Sequence, residues 1–228
     1  MKILSIDYTG EDFLMRYAVK QITGRSEIES CNLFRIDQYN WGGNYRPNTY
    51  GWMGYIPNQG FAVKMVCEEL NPVRNYTKAN EPVYLDSAME VFICFGNSIE
   101  DGKEKPCYLN FEMNANGAML ASFGCERTNR QNLSEELRSE ILCVPSILKD
   151  SWNLSLWIPN HIIYKLYQRE QRMCLFSERI EPGFHFLCNF FKIKESKGEN
   201  QHFASFSPIH YPTPDFHLPE YFSEAYIL

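Results

Sequence analysis

The sequence predicts an all-β fold, an antiparallel β-sandwich, from three observations. Short apolar runs rich in aromatic and β-branched residues recur along the chain, and each run is bounded by Gly, Pro, Asn or Asp. Turn signals separate these runs at the short intervals that are typical of sandwiches. A chain of 228 residues with 44% hydrophobic residues is long enough to bury a sizeable core as one unit. We therefore expect a single domain over residues 1–228.

Seven runs carry the strand pattern in chain order. They are 32–37, 60–67, 88–95, 107–113, 118–123, 152–157 and 184–193. The clearest hairpin joins the fourth run to the fifth through the segment 114–117, which ends in Asn116-Gly117, because Asn-Gly supplies the positive φ angles that a tight turn needs. An additional strand over 2–6, within the first 14 residues, is also expected.

Two short helices interrupt the strands. The segment 132–141 opens with Asn132 and Ser134 before an acidic residue, the form of a helix N-terminus, and carries an apolar stripe. Pro159-Asn160 opens the second helix, which is expected to extend to Tyr167. Gaps at 44–50, 99–106 and 195–201 are rich in Pro, Gly or charge, and we interpret them as surface loops because strand patterns resume on either side.

Composition excludes several classes of partner. The net charge of −6 and the isoelectric point near 5.5 argue against nucleic acid, since that ligand requires clustered Lys and Arg. No apolar run approaches the length that spans a membrane. The opening residues lack the apolar stretch of a secretory signal, so we expect a cytoplasmic protein, or a secreted one if a leader has been removed.

The eight cysteines are spread along the chain without the close pairs of zinc sites or disulfide frameworks. Several lie inside apolar strand patterns, where a reduced thiol behaves as a small hydrophobic group. We therefore expect free core thiols in a reducing compartment. They are Cys31, Cys67, Cys94, Cys107, Cys125, Cys143, Cys174 and Cys188.

Side chains of two strand runs predict a polar patch. Alternation along 89–95 directs Glu90 away from the face of Met89 and Val91, and alternation along 108–114 places Asn110 and Glu112 together. If the two strands are neighbours, carboxylates and an amide share one surface, where they can bind sugar hydroxyls. From alternation alone a solvated face is the simpler interpretation.

A second candidate surface is the loop region 39–55, which interleaves aromatic residues with Asn and Gly. Aromatic residues make up 15% of the chain, more than packing usually requires, and such loops recur at binding surfaces because rigid rings lose little entropy on contact. The candidates here are Trp41, Tyr45, Arg46 and Trp52. The two tryptophans could equally be core residues at strand ends.

Five motifs occur in an order that resembles carbohydrate-binding module family 9, including its free-standing members. The motifs begin at Asp86, Asn114, Asn189, Ser205 and Asp215, and they read DSAMEVF, NANG, NFFK, SFSP and DFHLPEYF. The resemblance implies an immunoglobulin-like or jelly-roll-like sandwich. It also implies non-catalytic binding of a short oligosaccharide or glycan terminus.

The resemblance also assigns roles to residues. Two tryptophans of the family sandwich a terminal sugar, and their positions fall at Tyr84 and Phe216, which can also stack on a pyranose face. The position of a basic sugar-contacting residue falls at Asn110. The late strand that supplies amide contacts carries Asn189 and Lys192.

Alternative functions stay open at this point. Glu90 and Glu112 could form a glycosidase pair, although the sequence contains no known catalytic motif. A structural or interaction module that has lost the sugar site is a further alternative, because neither stacking position is Trp. No cofactor is expected; relatives carry structural calcium, but no Asp-rich loop identifies a site for it. The sequence does not fix the oligomeric state. His217 and Glu220 are expected to hold the C-terminal segment in place by hydrogen bonds.

Overall fold

The computed structural model describes residues 16–100, 103–169, 179–198 and 200–228. Strands dominate this part of the chain, and the strand expected at 2–6 lies outside it. The strands are β1 (Arg16–Gln21), β2 (Leu33–Arg35), β3 (Gln38–Gly42), β4 (Asn48–Ile56), β5 (Gly60–Glu68), β6 (Ala88–Glu100), β7 (Lys103–Asn114), β8 (Met119–Gly124), β9 (Gln131–Asn132), β10 (Leu142–Ile147), β11 (Trp152–Pro159), β12 (His185–Lys194), β13 (His202–Ser205) and β14 (Ser223–Ile227). The α-helices are α1 (Glu135–Ser139) and α2 (Asn160–Arg169).

All seven predicted runs contain a strand, and both predicted helices form. Ser134 caps α1 by accepting a hydrogen bond from the backbone N–H of Leu137 at 3.4 Å. Gly117, with φ of +78°, turns the hairpin between β7 and β8 as expected. Among the described residues no helix is long and apolar enough to cross a membrane.

Two predicted loops are wrong in part. Strand β4 begins at Asn48, inside the gap 44–50, and strands β6 and β7 extend through most of the gap 99–106. The extension pairs Ser98 with Lys105 and Ile99 with Glu104. Charged residues there hide the strand pattern because the pairing is between backbone groups and needs no apolar face.

The strands form one continuous curled sheet whose two parts pack face to face. The front sheet contains β14, β12, β6, β7, β8 and β9 in that order, with β13 and β3 added beside β12. The back sheet contains β4, β5, β11 and β10, with β2 beside β4. Strand β1 joins the two parts: residues 16–19 pair with β14, and residues 20–21 pair with β4. Both pairings of β1 are parallel, whereas the other strand pairs of the described chain are antiparallel.

The main core fills the space between the two sheets. As alternation predicts, Met89 and Val91 of β6 lie on this inner face. Rings from both sheets meet there: Phe34 of β2 stacks on Phe190 of β12 with centroids 3.7 Å apart, and Phe61 of β5 lies 5.4 Å from Phe95 of β6.

The outer face of the front sheet is also buried, which corrects the simpler expectation of a solvated face. A second apolar cluster contains Phe92, Tyr108 and Phe191 from the sheet together with Phe216 and Phe222. The last two belong to the segment 206–222, which crosses the outer face. Glu90 points to this side, as predicted, but it is only 2% exposed.

The expectation of eight free thiols is wrong for one pair. Cys107 and Cys125 form a disulfide, with Cα atoms 3.9 Å apart. The hairpin register explains the pairing: Tyr108 of β7 lies opposite Gly124 of β8, so the residues on either side of that pair also face each other. Cys31, Cys67 and Cys188 are free and buried, Cys143 is free and partly buried, Cys94 is buried, and Cys174 lies outside the described residues.

We predict that thiol alkylation will distinguish the disulfide-bonded cysteines from the free ones. In freshly purified protein that is unfolded without reductant, Cys107 and Cys125 should stay unmodified, whereas Cys31, Cys67 and Cys188 should react. In the folded protein these three thiols should be protected, because burial keeps them from the reagent and from ionising. Mass spectrometry of alkylated peptides measures both states. Modification of Cys107 and Cys125 without reductant would contradict the disulfide.

Candidate functional site

A cleft of about 310 Å³ opens on the outer face of the front sheet. Its walls come from two segments that are distant in sequence: the short helical turn Val83–Leu85 before β6, and the segment 206–222. Strands β6, β7 and β12 supply the floor. The cleft therefore depends on the tertiary fold that brings residues 84, 90, 112 and 216 together.

Tyr84 and Phe216 lie in the two walls, as the sequence predicts. The turn that carries Tyr84 is held to the end of β12, since the Tyr84 carbonyl accepts a hydrogen bond from the Glu195 N–H at 2.8 Å. Phe216 stacks on Phe191 with centroids 4.2 Å apart and is 6% exposed. Much of its surface is thus already buried in the outer core, and the more accessible Tyr84 offers the larger free ring surface.

Glu90 and Glu112 lie side by side on the floor. They occupy directly opposite positions of β6 and β7, and they are 2% and 5% exposed. Opposite residues of an antiparallel pair have Cβ atoms about 5 Å apart, so the two carboxyl groups share one environment. Burial raises the pKa of Glu112 to about 7 and raises the pKa of Glu90 well above its usual range, with the neighbouring carboxylates adding to the effect.

Arg130 organises one side of the floor on the outer face of the sheet, a role that sequence reasoning missed. Its Nε and Nη2 donate to the Asn110 Oδ1 at 3.0 and 2.7 Å, and its guanidinium lies 3.9 Å from the Tyr108 ring centroid. With its oxygen so occupied, the Asn110 amide donates through Nδ2 to the Glu112 Oε1 at 3.0 Å. No local motif marks Arg130, because it reaches the floor from the turn between β8 and β9.

The rim of the cleft is fixed by polar contacts of the C-terminal segment. Arg127 forms an ion pair with Asp215 at 2.7 Å, and Asp215 Oδ1 accepts the His217 backbone N–H at 2.9 Å. The His217 Nδ1 lies 3.0 Å from the Tyr108 hydroxyl, which confirms that His217 holds this segment. Burial lowers the pKa of His217 to about 3, so the ring is neutral at physiological pH.

Asn189 and Lys192 lie outside the cleft. Asn189 is buried, and its Oδ1 accepts the backbone N–H of Ser207 at 2.9 Å. Lys192 points to the inner face of β12, opposite to Phe191, because successive strand residues alternate. Its Nζ lies 2.7 Å from Ser87 Oγ, 2.8 Å from His202 Nε2 and 3.5 Å from Glu69 Oε2.

The aromatic loop region does not form one surface. Trp41 lies beside the cleft, with its ring 6.2 Å from Phe216 and its N–H donating to the Tyr211 carbonyl at 2.8 Å. Tyr45 lies over His202 with ring centroids 5.3 Å apart, next to the buried Lys192. Trp52 packs in a separate cluster on the back sheet. Arg46 lies 5.4 Å from the Tyr39 ring centroid. Strand pairing of β3 with β13 and of β4 with β5 separates these side chains.

Of the ten predicted site residues, Tyr84, Glu90 and Phe216 line the cleft, Asn110 supports its floor and Trp41 packs beside it. The other five do not line it. These are Tyr45, Arg46, Trp52, Asn189 and Lys192.

A match to a protein-family model identifies the family of this chain. The model for carbohydrate-binding family 9 matches residues 26–227. The chain belongs to carbohydrate-binding family 9. A comparison with curated protein sequences gave no significant match.

Solved structures share the fold. A candidate carbohydrate-binding protein from Bacteroides uniformis ATCC 8492 is 21% identical, with a TM-score of 0.73 over 93% of this chain and 99% of that chain. A family 9 module from Caldicellulosiruptor kristjanssonii in complex with glucose is 13% identical, with a TM-score of 0.59 over 94% and 96% of the two chains. The same source provides a module in complex with cellotriose, 12% identical with a TM-score of 0.57 over 93% of each chain.

We predict that the floor of the cleft makes the protein less stable as pH rises. The pKa of Glu112 is raised from 4.5 to about 7, so folding takes up a proton between these pH values. The free energy of unfolding of the wild type, relative to Glu112→Gln, should therefore fall between pH 4.5 and 7, by a quantity on the order of 3 kcal/mol.

Denaturant unfolding of both proteins across this pH range measures the effect. Burial lowers the pKa of His202 and His217 to about 3, which gives the opposite pH trend, but both proteins contain these residues and the difference cancels them. The exposed Glu140→Gln variant controls for the removal of a carboxylate. A difference between wild type and Glu112→Gln that does not change with pH would contradict the buried acidic floor.

Proposed function

We propose that the cleft between Tyr84 and Phe216 is the sugar site of this family 9 protein, and that the chain binds carbohydrate without catalysis. One observation carries the proposal: the accessible ring of Tyr84 lines the same cleft as the two adjacent, buried carboxyl groups of Glu90 and Glu112. Rings bind the apolar C–H face of a pyranose, and carboxyl groups bind its hydroxyls. The glucose and cellotriose complexes of the two relatives support a pyranose ligand.

The size of the cleft favours a small ligand. A volume of about 310 Å³ lies at the lower end of the roughly 300–1,000 Å³ range of small-molecule sites. This space suits a terminal sugar or a short oligosaccharide rather than a long polysaccharide segment. The sandwich is proposed to act as one domain over 1–228, with carbohydrate as its partner and without a required cofactor. Among the described residues no group of three or more His, Cys, Asp or Glu could hold a metal ion.

The arrangement of the carboxyl groups favours binding over hydrolysis. Glycosidases place their two carboxyl groups on either side of the scissile bond, one protonated and one ionised. Glu90 and Glu112 instead lie next to each other on one floor, and burial raises the pKa of both. Both groups would thus contact the same side of a bound sugar.

The cellular location stays a proposal that the thiol assay tests. The free thiols of Cys31, Cys67, Cys143 and Cys188 favour the reducing cytoplasm. A Cys107–Cys125 bond that persists in protein isolated from the native cell would favour an oxidising compartment.

We predict that Tyr84→Ala weakens sugar binding about fivefold. Stacking of one ring on a sugar contributes on the order of 1 kcal/mol beyond burial, and Tyr84 offers the accessible ring of the cleft. Calorimetric titration with glucose and cello-oligosaccharides measures the affinity. Trp52→Ala removes an aromatic residue from the back sheet and is the matched control, with no expected change. Unchanged affinity in Tyr84→Ala together with lost affinity in Trp41→Ala would place the site on the aromatic loop.

We also predict that the protein releases no product from glycosides. Prolonged incubation with natural and chromogenic glycosides, followed by assay of reducing sugar, tests this because each hydrolysed bond creates a reducing end. Release that disappears in Glu90→Gln would identify an enzyme. Absence of both binding and release over a broad set of sugars would favour the interaction module that has lost its sugar site.

A further inference from the structure

The lining of the cleft is strongly acidic. Four carboxyl groups contribute to it, from Glu90, Glu112, Glu195 and Asp215. The cation in the lining, Arg127, forms an ion pair with Asp215 at 2.7 Å and is largely exposed. The three glutamates therefore face the cleft without a cationic side chain of the described lining to neutralise them.

Glu90 has no hydrogen-bond partner among the described residues although it is only 2% exposed. The two nearby cations are occupied elsewhere. Lys192 lies on the opposite face of β12 and contacts Ser87 and His202. Arg130 donates to Asn110 and to backbone carbonyls, not to Glu90. A carboxyl group that is buried in this way is costly to ionise, and a cationic donor brought by a ligand would remove that cost.

Glu112 offers a second acceptor at the same place. One of its oxygens accepts from Asn110 at 3.0 Å, and the group lies directly opposite Glu90 in the strand pair. An ammonium group has three donors and no acceptor, so it can bridge two adjacent carboxylates, whereas each neutral hydroxyl brings one donor. The Tyr84 ring in the wall adds an electron-rich face that attracts a cation.

We propose that the cleft selects a sugar that carries a protonated amine, such as glucosamine, over neutral and acidic sugars of similar size. This inference rests on the proposed function, that the cleft binds a pyranose. The ammonium group lies between Glu90 and Glu112, and the C–H face of the ring lies on Tyr84. Uronic acids and sulfated sugars are excluded because they bring a like charge to this floor.

The charges around the floor predict a proton linkage. Burial is the largest influence on Glu90 and Glu112 and raises the pKa of both, with Glu195 adding to the effect. Lys192 acts in the opposite direction on Glu90, and the Asn110 hydrogen bond and Arg130 do so on Glu112, but burial prevails and the pair holds bound protons near pH 7. A bound cation lowers both pKa values and expels a proton. Of the other groups that face the cleft, Asp215 is paired with Arg127, and His217 is already neutral because burial lowers its pKa to about 3. A neutral sugar brings no charge and expels no proton.

Calorimetric titration at pH 7 with glucosamine, N-acetylglucosamine and glucose tests the proposal. Glucosamine should bind about tenfold or more tightly than either neutral sugar, the value expected of one charge-assisted hydrogen bond. Titration in buffers of different ionisation enthalpy should show proton release with glucosamine alone. Glu90→Gln should remove the preference, so that glucosamine binds the variant no more tightly than glucose does, and the exposed control Glu140→Gln should keep it.

The possible outcomes separate the two proposals. Equal or tighter binding of glucose or N-acetylglucosamine would overturn selection of the amine and leave the sugar site in place. No binding of any of the three sugars, nor of their short oligomers, would overturn both. If Glu90→Gln does not fold, Glu112→Gln replaces it in the same titrations. A preference that persists in the folded variant overturns the role of the carboxyl pair.

Discussion

The cleft depends on the attachment of the segment 206–222 to the outer face of the front sheet. Asn189 of β12 makes the central contacts: its Oδ1 accepts the Ser207 N–H at 2.9 Å, and its Nδ2 approaches the Ser207 and Tyr221 carbonyls at 3.3 and 3.5 Å. These bonds satisfy backbone groups that would otherwise be buried without partners. Phe216 adds its stack on Phe191. Without this covering segment, Glu90 and Glu112 would lie on an open sheet surface.

Covering the face changes the chemistry of the floor. The segment 206–222 forms one wall of the cleft and also excludes water from Glu90 and Glu112. This burial raises the pKa of both carboxyl groups. The free protein therefore keeps a polar arrangement that does not stabilise it. Such a cost in stability is common at binding sites, where groups are held ready for a ligand rather than for each other.

A second buried network supports the cleft from the inner face. Lys192 joins Ser87, which directly precedes β6, to His202 of β13, and it lies 3.5 Å from Glu69. Trp152 of the back sheet also donates to Glu69 at 3.1 Å. The network thus connects the strands that carry the floor with the back sheet. Lys192 follows Phe191 of the outer core directly in sequence, but it points to the opposite face of β12. Its contacts stabilise the sandwich and do not reach the cleft.

Local patterns in the sequence determined much of the fold. Alternating apolar residues identified seven strands, because each has one face in a core, and the cap at Ser134 identified α1. They missed β1, β3, β4, β9, β10, β13 and β14, and they missed the charged ends of β6 and β7. Of the missed strands, β1 and β14 pair across more than two hundred residues. The sequence predicted the hairpin of β7 and β8 but not its register, and that register is what places Cys107 opposite Cys125.

For the site, alternation showed that Glu90 points away from the main core, and the family motifs indicated Tyr84 and Phe216. Only the tertiary structure decided that the outer face is covered, that Arg130 orients Asn110, and that Lys192 lies on the other side. The physical reason is distance along the chain. Strand periodicity assigns a side chain to a face, but it does not determine which remote segment packs on that face, and that segment decides whether a carboxyl group is solvated or buried.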